Sequence, residues 1–479
     1  MNSDLIREAC LINGLWVTAE RWVEVDDPAT GAVIGRVPDL DRPQVEQAIG
    51  AAASAFPSWS TRAAHERAAI LRRYFELMRD NADALAALLT AEQGKPLAEA
   101  RGEILYAASF FEWFGEEAKR AYGEIVPGHQ ADKRIFVLKQ PIGVVGAITP
   151  WNFPSAMITR KIAPALAAGC TAVVKPAAQT PFSALALGVL AEEAGVPPGV
   201  INIVTSSNAA MVGEVLTASP VVRKLSFTGS TAVGARLYAR SAATIKKLSL
   251  ELGGNAPFII FDDADLDAAV EGAIASKFRN AGQTCVCANR FYVQAGIHDR
   301  FVDRLVDAVG NLKIGHGIDD GVAVGPLIED RALEKVEGHI DDALAKGGRL
   351  AAGGARHALG GRFFQPTVVT GVATGMNVLT EETFGPLAPV VRFETEEDVV
   401  ALANDSDFGL AAYLFTRDVA RLWRVAERLE VGMVGANTGI ISTEVAPFGG
   451  IKMSGLGREG SRHGLDDYME QKYVCLAVS

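Results

Sequence analysis

The segment FRNAGQTCVCANR places Cys285 in a loop of small residues that follows a helical stretch, where an electrophile can approach a thiol. A thiolate is the working nucleophile, and a free thiol titrates at ~8.5, so positive charge, a helix N-terminus or a base must favour its ionisation. Taken alone, such a cysteine reads first as a small buried hydrophobe, and it is the surrounding motifs that favour the nucleophile. Upstream, Glu251 closes the apolar run KLSLE just before Gly253-Gly254, and strand ends followed by glycine are where α/β enzymes place working groups. In isolation it reads as a surface acid at a strand terminus. Asn152 lies in TPWNFP, an irregular loop fixed by two prolines and Trp151. Its amide is suited to a developing oxyanion, although asparagine in a turn commonly serves the backbone.

Other segments offer binding chemistry. FTGSTAVG, with Thr228, Gly229 and Ser230 at a strand-to-helix turn, can present a helix N-terminus and small-residue backbone to a pyrophosphate. It is not GxGxxG, and glycine turns are common. Arg160 follows Asn152 by eight residues and Arg279 precedes Cys285 by six. Guanidinium is suited to bidentate capture of a carboxylate, and a salt bridge is the alternative use. Cys287 reads as a small packed side chain, or as a thiol that oxidation could join reversibly to Cys285 and so silence it. No metal site is expected.

Elements of two kinds must position these groups. From Asp41 to about Leu97 apolar residues recur three and four apart, with Asp41 and Ser60 as candidate N-caps and Gly94-Lys95-Pro96 as the stop. After about Ala121 come short β-branched runs separated by helices: VVGAIT, TAVVKP, VINIVTS, KLSFTGS and KLSLELGG. From residue 257 PFIIFDD, NRFYVQ, PTVVTGV, APVVRF and LAAYLFT repeat the style, so the fold class is α/β with parallel βαβ units in two lobes. The stretch Tyr122 to Pro141 and the final DDYMEQKYVCLAV read as extended strands away from either core, free to pair between subunits.

At 479 residues the chain is too long for one core. A formal charge of −11 argues against nucleic acid as a partner. No apolar run approaches the ~18 residues that cross a bilayer, and MNSDLIREAC is too polar for a secretory signal, so a soluble cytoplasmic protein is expected. Five cysteines in so long a chain make no disulfide framework and fit a reducing compartment.

Together TPWNFP, KPAAQTP, FTGSTAVG, LELGGNAP, GQTCVCANR, EETFGP and PFGGIKMSGLGREG, in this order, resemble the aldehyde dehydrogenase superfamily. Within it the longer strings PWNFPSAMITRKIAPALAAGC and EVAPFGGIKMSGLGREGSRHG are similar to the succinate-semialdehyde dehydrogenases. The resemblance implies a Rossmann-type dinucleotide-binding lobe (1–119 and 142–253), an α/β catalytic lobe (254–446) and a β oligomerisation arm (120–141 and 464–479), assembled as a homodimer or homotetramer. It implies attack by Cys285, an oxyanion held by Asn152 and a backbone N–H near Cys285, and thioester hydrolysis with Glu251 as general base. It places Trp151, Lys175, Thr228, Gly229, Ser230, Leu252, Glu382 and Phe384 at the cofactor, with Glu382 on the nicotinamide ribose. Many NAD-selective relatives carry Glu where this chain has Ala178; a carboxylate there would repel a 2′-phosphate, so NADP is expected to be preferred with NAD still usable. Arg160, Arg279 and Ser442 match residues that bind the distal carboxylate. Glutarate semialdehyde differs by one methylene, worth only ~1–3 kcal/mol of discrimination, and stays open. Transfer of the thioester to CoA is disfavoured by Glu251, and a catalytically silent structural protein by the intact Cys285, Glu251 and Asn152.

Overall fold

Alternating β-branched strands and alanine-rich helices build two separate parallel sheets in the computed structural model, which describes residues 4–478. The centre of the first sheet runs Ile201–Ile203, Thr171–Lys175, Val144–Ile148, Val222–Thr228, Lys247–Glu251, all parallel. In chain order this is 3-2-1-4-5, so the winding reverses between Val144–Ile148 and Val222–Thr228. A crevice opens at such a reversal, outside the carboxyl ends of the strands. Those two ends lead directly into the TPWNFP loop and into Gly229-Ser230. The helices Ala156–Ala168 and Pro181–Ala194 are apolar on nearly all sides and almost wholly buried beneath this sheet, as such a composition requires.

Antiparallel strands close the sheet, Cys10–Ile12 and Leu15–Val17 at one edge and Gly455–Leu456 at the other. In the last of these Gly455 pairs with Glu251, so PFGGIKMSGLGREG returns from the far end of the chain to the strand that carries the carboxylate. The second sheet is ordered Arg349–Ala352, Thr367–Thr370, Leu387–Phe393, Ala288–Gln294, Ala256–Ile260, Ala411–Phe415, Met433–Ala436, parallel except for the first. A three-stranded antiparallel sheet of Glu124–Val126, Lys133–Pro141 and Met469–Ala477 stands apart, with Ile125, Leu138, Tyr473 and Leu476 exposed.

Asp41 caps the helix Arg42–Ser60 in a capping box with Gln44, and Gly94, at φ 90°, ends the helix Ala82–Gln93. Ser60 begins no helix. Its hydroxyl donates to Pro57 O within the first helix, and the next starts at Ala64, where the Glu66 carboxylate accepts from Ala63 N. The segment ASKFRNAG is helical only to Lys277, and the DDY of the C-terminal segment lies in a 3₁₀ turn.

Candidate active site

Cys285 is held by a loop that the chain would not adopt unaided. Asn280, Ala281 and Gly282 stand in succession at φ 51°, 54° and 76°. Asparagine and glycine tolerate the left-handed region, whereas alanine there costs roughly 1–2 kcal/mol. Two side chains and one backbone carbonyl from elsewhere in the chain hold the bend: Gln93 Nε2 donates to Asn280 Oδ1 (3.0 Å), Glu99 accepts from Asn280 N (2.8 Å), and Asn280 Nδ2 donates to the Asn152 carbonyl (3.0 Å). Ile328 N donates to Gln283 Oε1 (2.9 Å). Two glycines bring the other motifs to this loop. A Cβ on Gly282 would lie 2.2 Å from Gly385 O in EETFGP, and one on Gly254 would lie 2.5 Å from Cys285 O.

This backbone places Cys285 in the shared wall of two cavities. One, of about 280 Å³, is lined by Tyr106, Phe153, Arg160, Arg279, Ser442 and Phe448. The other, of about 600 Å³, lies at the winding reversal, lined by Trp151, Thr228, Ser230, Leu252, Glu382 and Phe384 together with Asn152 and Gly229. Phe153 and Met157 border both. Trp151 and Phe384 meet edge-to-face at 5.6 Å, and Phe384 holds a left-handed backbone (φ 55°) to do so. Ser230 is the N-cap of the helix Thr231–Ser241. Lys175 and Ala178 lie outside this cavity: Lys175 is buried, its ammonium donates to Pro176 O (3.0 Å), and burial lowers its pKa to about 8. Cys287 lines neither cavity; its thiol donates to Gly282 O, and the buried Lys277 ammonium lies 3.7 Å from its sulfur.

Electrostatics set the resting state of the site. Burial, then the carboxylate of Glu382, pushes the Cys285 thiol up to about 12 against the pull of Arg160, so the resting sulfur is protonated. Glu251, 2% exposed, has no hydrogen-bond partner among the described residues on either carboxylate oxygen and lines neither cavity. Burial first, then the charge of Glu459, raises its pKa well above the ordinary range, while Arg160, Lys161 and Arg458 oppose the shift. Glu459 is the ionised member of this group: against the cost of burial, Lys161 (2.5 Å) and Arg160 (2.7 Å) hold it at about 2. Arg160 is therefore committed to an ion pair, with its guanidinium carbon 3.9 Å over the Phe448 ring, although it still borders the smaller cavity. Arg279 forms no salt bridge among the described residues; it sits 5.4 Å over Phe153 with its Nε buried and unpartnered. Glu382 accepts from Gly254 N (3.1 Å), and burial raises it to about 7. Asn152 Nδ2 donates to Gln283 O (3.1 Å), which fixes the amide beside the Cys285 loop.

Sequence reasoning did not identify Lys95, Glu103 or Tyr106. Lys95 and Glu103 form a buried pair (2.6 Å) between the two motifs: Lys95 donates to the Asn152 carbonyl (2.7 Å), and Glu103 accepts from Ser155 N (2.9 Å) and Ala156 N. Removing one member of such a pair leaves a buried uncompensated charge. Glu103→Gln is expected to cost about 3–5 kcal/mol, read as a lower Tm, and the double variant with Lys95→Met to recover part of it. If the single and double variants melt alike, the two charges do not act as a unit.

A parallel sheet with a crevice at its reversal, joined to a second sheet that carries a thiol between two cavities, is the arrangement of a dinucleotide-dependent enzyme acting through cysteine. A model of the aldehyde dehydrogenase family matches residues 16–474, and the chain belongs to that family. It is 62% identical to a glutarate-semialdehyde dehydrogenase of Pseudomonas aeruginosa, with 99% of each chain covered. It is also 62% identical to the NADP(+) succinate-semialdehyde dehydrogenase GabD of Escherichia coli, covering 100% of this chain and 99% of that one. The crystal structure of succinate-semialdehyde dehydrogenase from Burkholderia pseudomallei superposes with a TM-score of 0.99 at 61% identity, again covering 100% and 99%.

Proposed function

We propose that this chain oxidises succinate semialdehyde to succinate, with NADP preferred and NAD usable, through a thioester on Cys285. The observation that carries the reading is the position of Cys285 between a cavity bordered by two arginines and a cavity at the dinucleotide crevice. Arg279, free of any salt bridge among the described residues, holds the distal carboxylate, with Ser442 and the outer face of Arg160 beside it. This presents the aldehyde carbon to the sulfur.

Attack by the ionised fraction of Cys285, whose proton passes to solvent, forms a carbon–sulfur bond as the carbonyl pair moves onto oxygen, and the thiohemiacetal oxyanion is stabilised by the N–H of the Asn152 amide not bound to Gln283 O together with backbone N–H near Cys285. The larger cavity fits a nicotinamide dinucleotide: it has a helix N-terminus and small residues for the pyrophosphate, Glu382 for the ribose, and Trp151 and Phe384 beside the ring. A nicotinamide held there would supply the acceptor for the hydride that leaves the oxyanion carbon. The thioester left on Cys285 is hydrolysed by water deprotonated by Glu251, restoring the thiol and releasing the acid. Ala178 supports NADP by leaving a 2′-phosphate unopposed. The names of the relatives support both a four-carbon and a five-carbon semialdehyde, and a cavity of about 280 Å³ accommodates either. We further propose a cytoplasmic enzyme whose exposed three-stranded sheet joins subunits; no helix among the described residues is long and apolar enough to cross a membrane.

Initial rates with succinate semialdehyde, glutarate semialdehyde and an uncharged aldehyde of similar length, each with NADP and NAD, test the proposal. Arg279→Ala is expected to raise KM for both charged aldehydes on the order of 10²-fold and to leave the uncharged one unchanged. Equal use of the uncharged aldehyde by the unaltered enzyme would discard the semialdehyde reading and keep the family chemistry.

A further inference from the structure

The helix Leu97–Ala118 turns Glu99, Gly102, Glu103 and Tyr106 toward the smaller cavity, at spacings that fall on one helical face. The two acids are accounted for: Glu103 pairs with Lys95, and Glu99 accepts from Asn280 N. Tyr106 is not. Its ring packs edge-on against Phe110 (5.0 Å), and its hydroxyl is shut off from solvent with no hydrogen-bond partner among the described residues. A buried tyrosine hydroxyl ordinarily finds a partner, because leaving it unpaired is costly, and phenylalanine would fill the same volume without that cost. The hydroxyl lies within the fields of Arg160, Arg279, Glu444 and Glu459. Glu459 is already neutralised by Arg160 and Lys161, and Glu444 already accepts from Ser109 Oγ at 3.2 Å. The hydroxyl therefore has no acceptor among the described residues, on a side chain that borders the same cavity as Arg279.

We infer that Tyr106 is a substrate-binding residue whose hydroxyl donates a hydrogen bond to the distal carboxylate of the semialdehyde, from the helix side of the cavity. The inference rests on the proposed reading of the substrate as an aldehyde with a remote carboxylate. Arg279 supplies charge from the cysteine loop, and Tyr106 supplies a fixed direction from a rigid helix, which together orient a planar anion better than a single guanidinium. A hydroxyl donating to an anion makes one of the stronger hydrogen bonds, and its selective loss is worth roughly 10–100-fold.

The test compares Tyr106→Phe with the unaltered enzyme and Arg279→Ala on the two charged aldehydes and the uncharged one, with Tm measured for each protein and succinate affinity by titration. The expected result is a ~10–100-fold loss of kcat/KM on both charged aldehydes, carried by KM, with weaker succinate binding, unchanged kinetics on the uncharged aldehyde and a Tm that does not fall. A purely structural role would lower Tm and affect all three aldehydes alike. If the unaltered enzyme prefers charged aldehydes and Arg279→Ala loses that preference while Tyr106→Phe keeps it, the Tyr106 inference is overturned and the substrate reading stands. If the unaltered enzyme shows no such preference, both fall.

Discussion

Cys285→Ala is expected to bind the dinucleotide as the unaltered enzyme does and to oxidise aldehyde at least ~10⁴-fold more slowly, because no other group at the junction of the cavities can form the covalent adduct. The neighbouring thiol cannot substitute: Cys287 lines neither cavity, and its own proton is directed to Gly282 O. Cys285→Ser should be almost as severe, since a hydroxyl is far harder to ionise than a thiol that burial has already pushed up to about 12. Stopped-flow absorbance of the reduced nicotinamide measures turnover, and quenching of tryptophan fluorescence by the dinucleotide measures binding, with Trp151 in the cavity as the reporter. Turnover by Cys285→Ala within tenfold of the unaltered enzyme would remove covalent catalysis from the account. The protonated resting thiol also fixes a direction with pH. The ionised fraction grows as pH rises, so single-turnover rates in the unaltered enzyme should climb from neutral into alkaline solution.

What was legible in the sequence was local. Short β-branched runs between helical spacers place all ten of the quoted strands, Asp41 and Gly94 mark real helix ends, and Cys285, Glu251 and Asn152 each sit in the kind of loop or strand end that their neighbours indicate. What stayed hidden depends on pairing across long sequence separations. Nothing near Arg160 tells that Glu459 neutralises it, and nothing near Glu251 tells that the same Glu459 makes its ionisation harder. Ser60 has the chemistry of an N-cap, and only the geometry of the preceding turn commits its hydroxyl to Pro57. The helical reading stops at about Leu97, so the helix Leu97–Ala118 that carries Tyr106 was not anticipated. A search for polar residues on the cavity-facing stripe of a helix would have raised it, since Glu99, Glu103 and Tyr106 share that stripe.

Glu251→Gln separates the two halves of the reaction. Acylation needs Cys285 and the cofactor, whereas release of the acid needs an activated water, so this variant should produce about one reduced nicotinamide per site in a rapid burst and then turn over ~10²–10⁴-fold more slowly. Intact-mass measurement during the slow phase should find the acyl adduct on the protein. A slow phase with neither burst nor adduct would place Glu251 before acylation. The pH dependence follows from the burial that raises this carboxyl. Only its ionised form is a base, so the steady-state rate of the unaltered enzyme rises with pH up to the raised value, and the glutamine variant loses that dependence. Stability runs the opposite way. In the unfolded chain Glu251 ionises at the ordinary glutamate value, so the folded state binds more protons between that value and the raised one, and stability is lost as pH climbs through this window. Glu251→Gln removes the loss, and its Tm relative to the unaltered enzyme should increase from acidic to neutral pH while its turnover collapses. One variant that is both more stable and nearly inactive is what a buried, unpartnered base predicts, because the desolvation that opposes its charge is retained for the ionised form that deprotonates water.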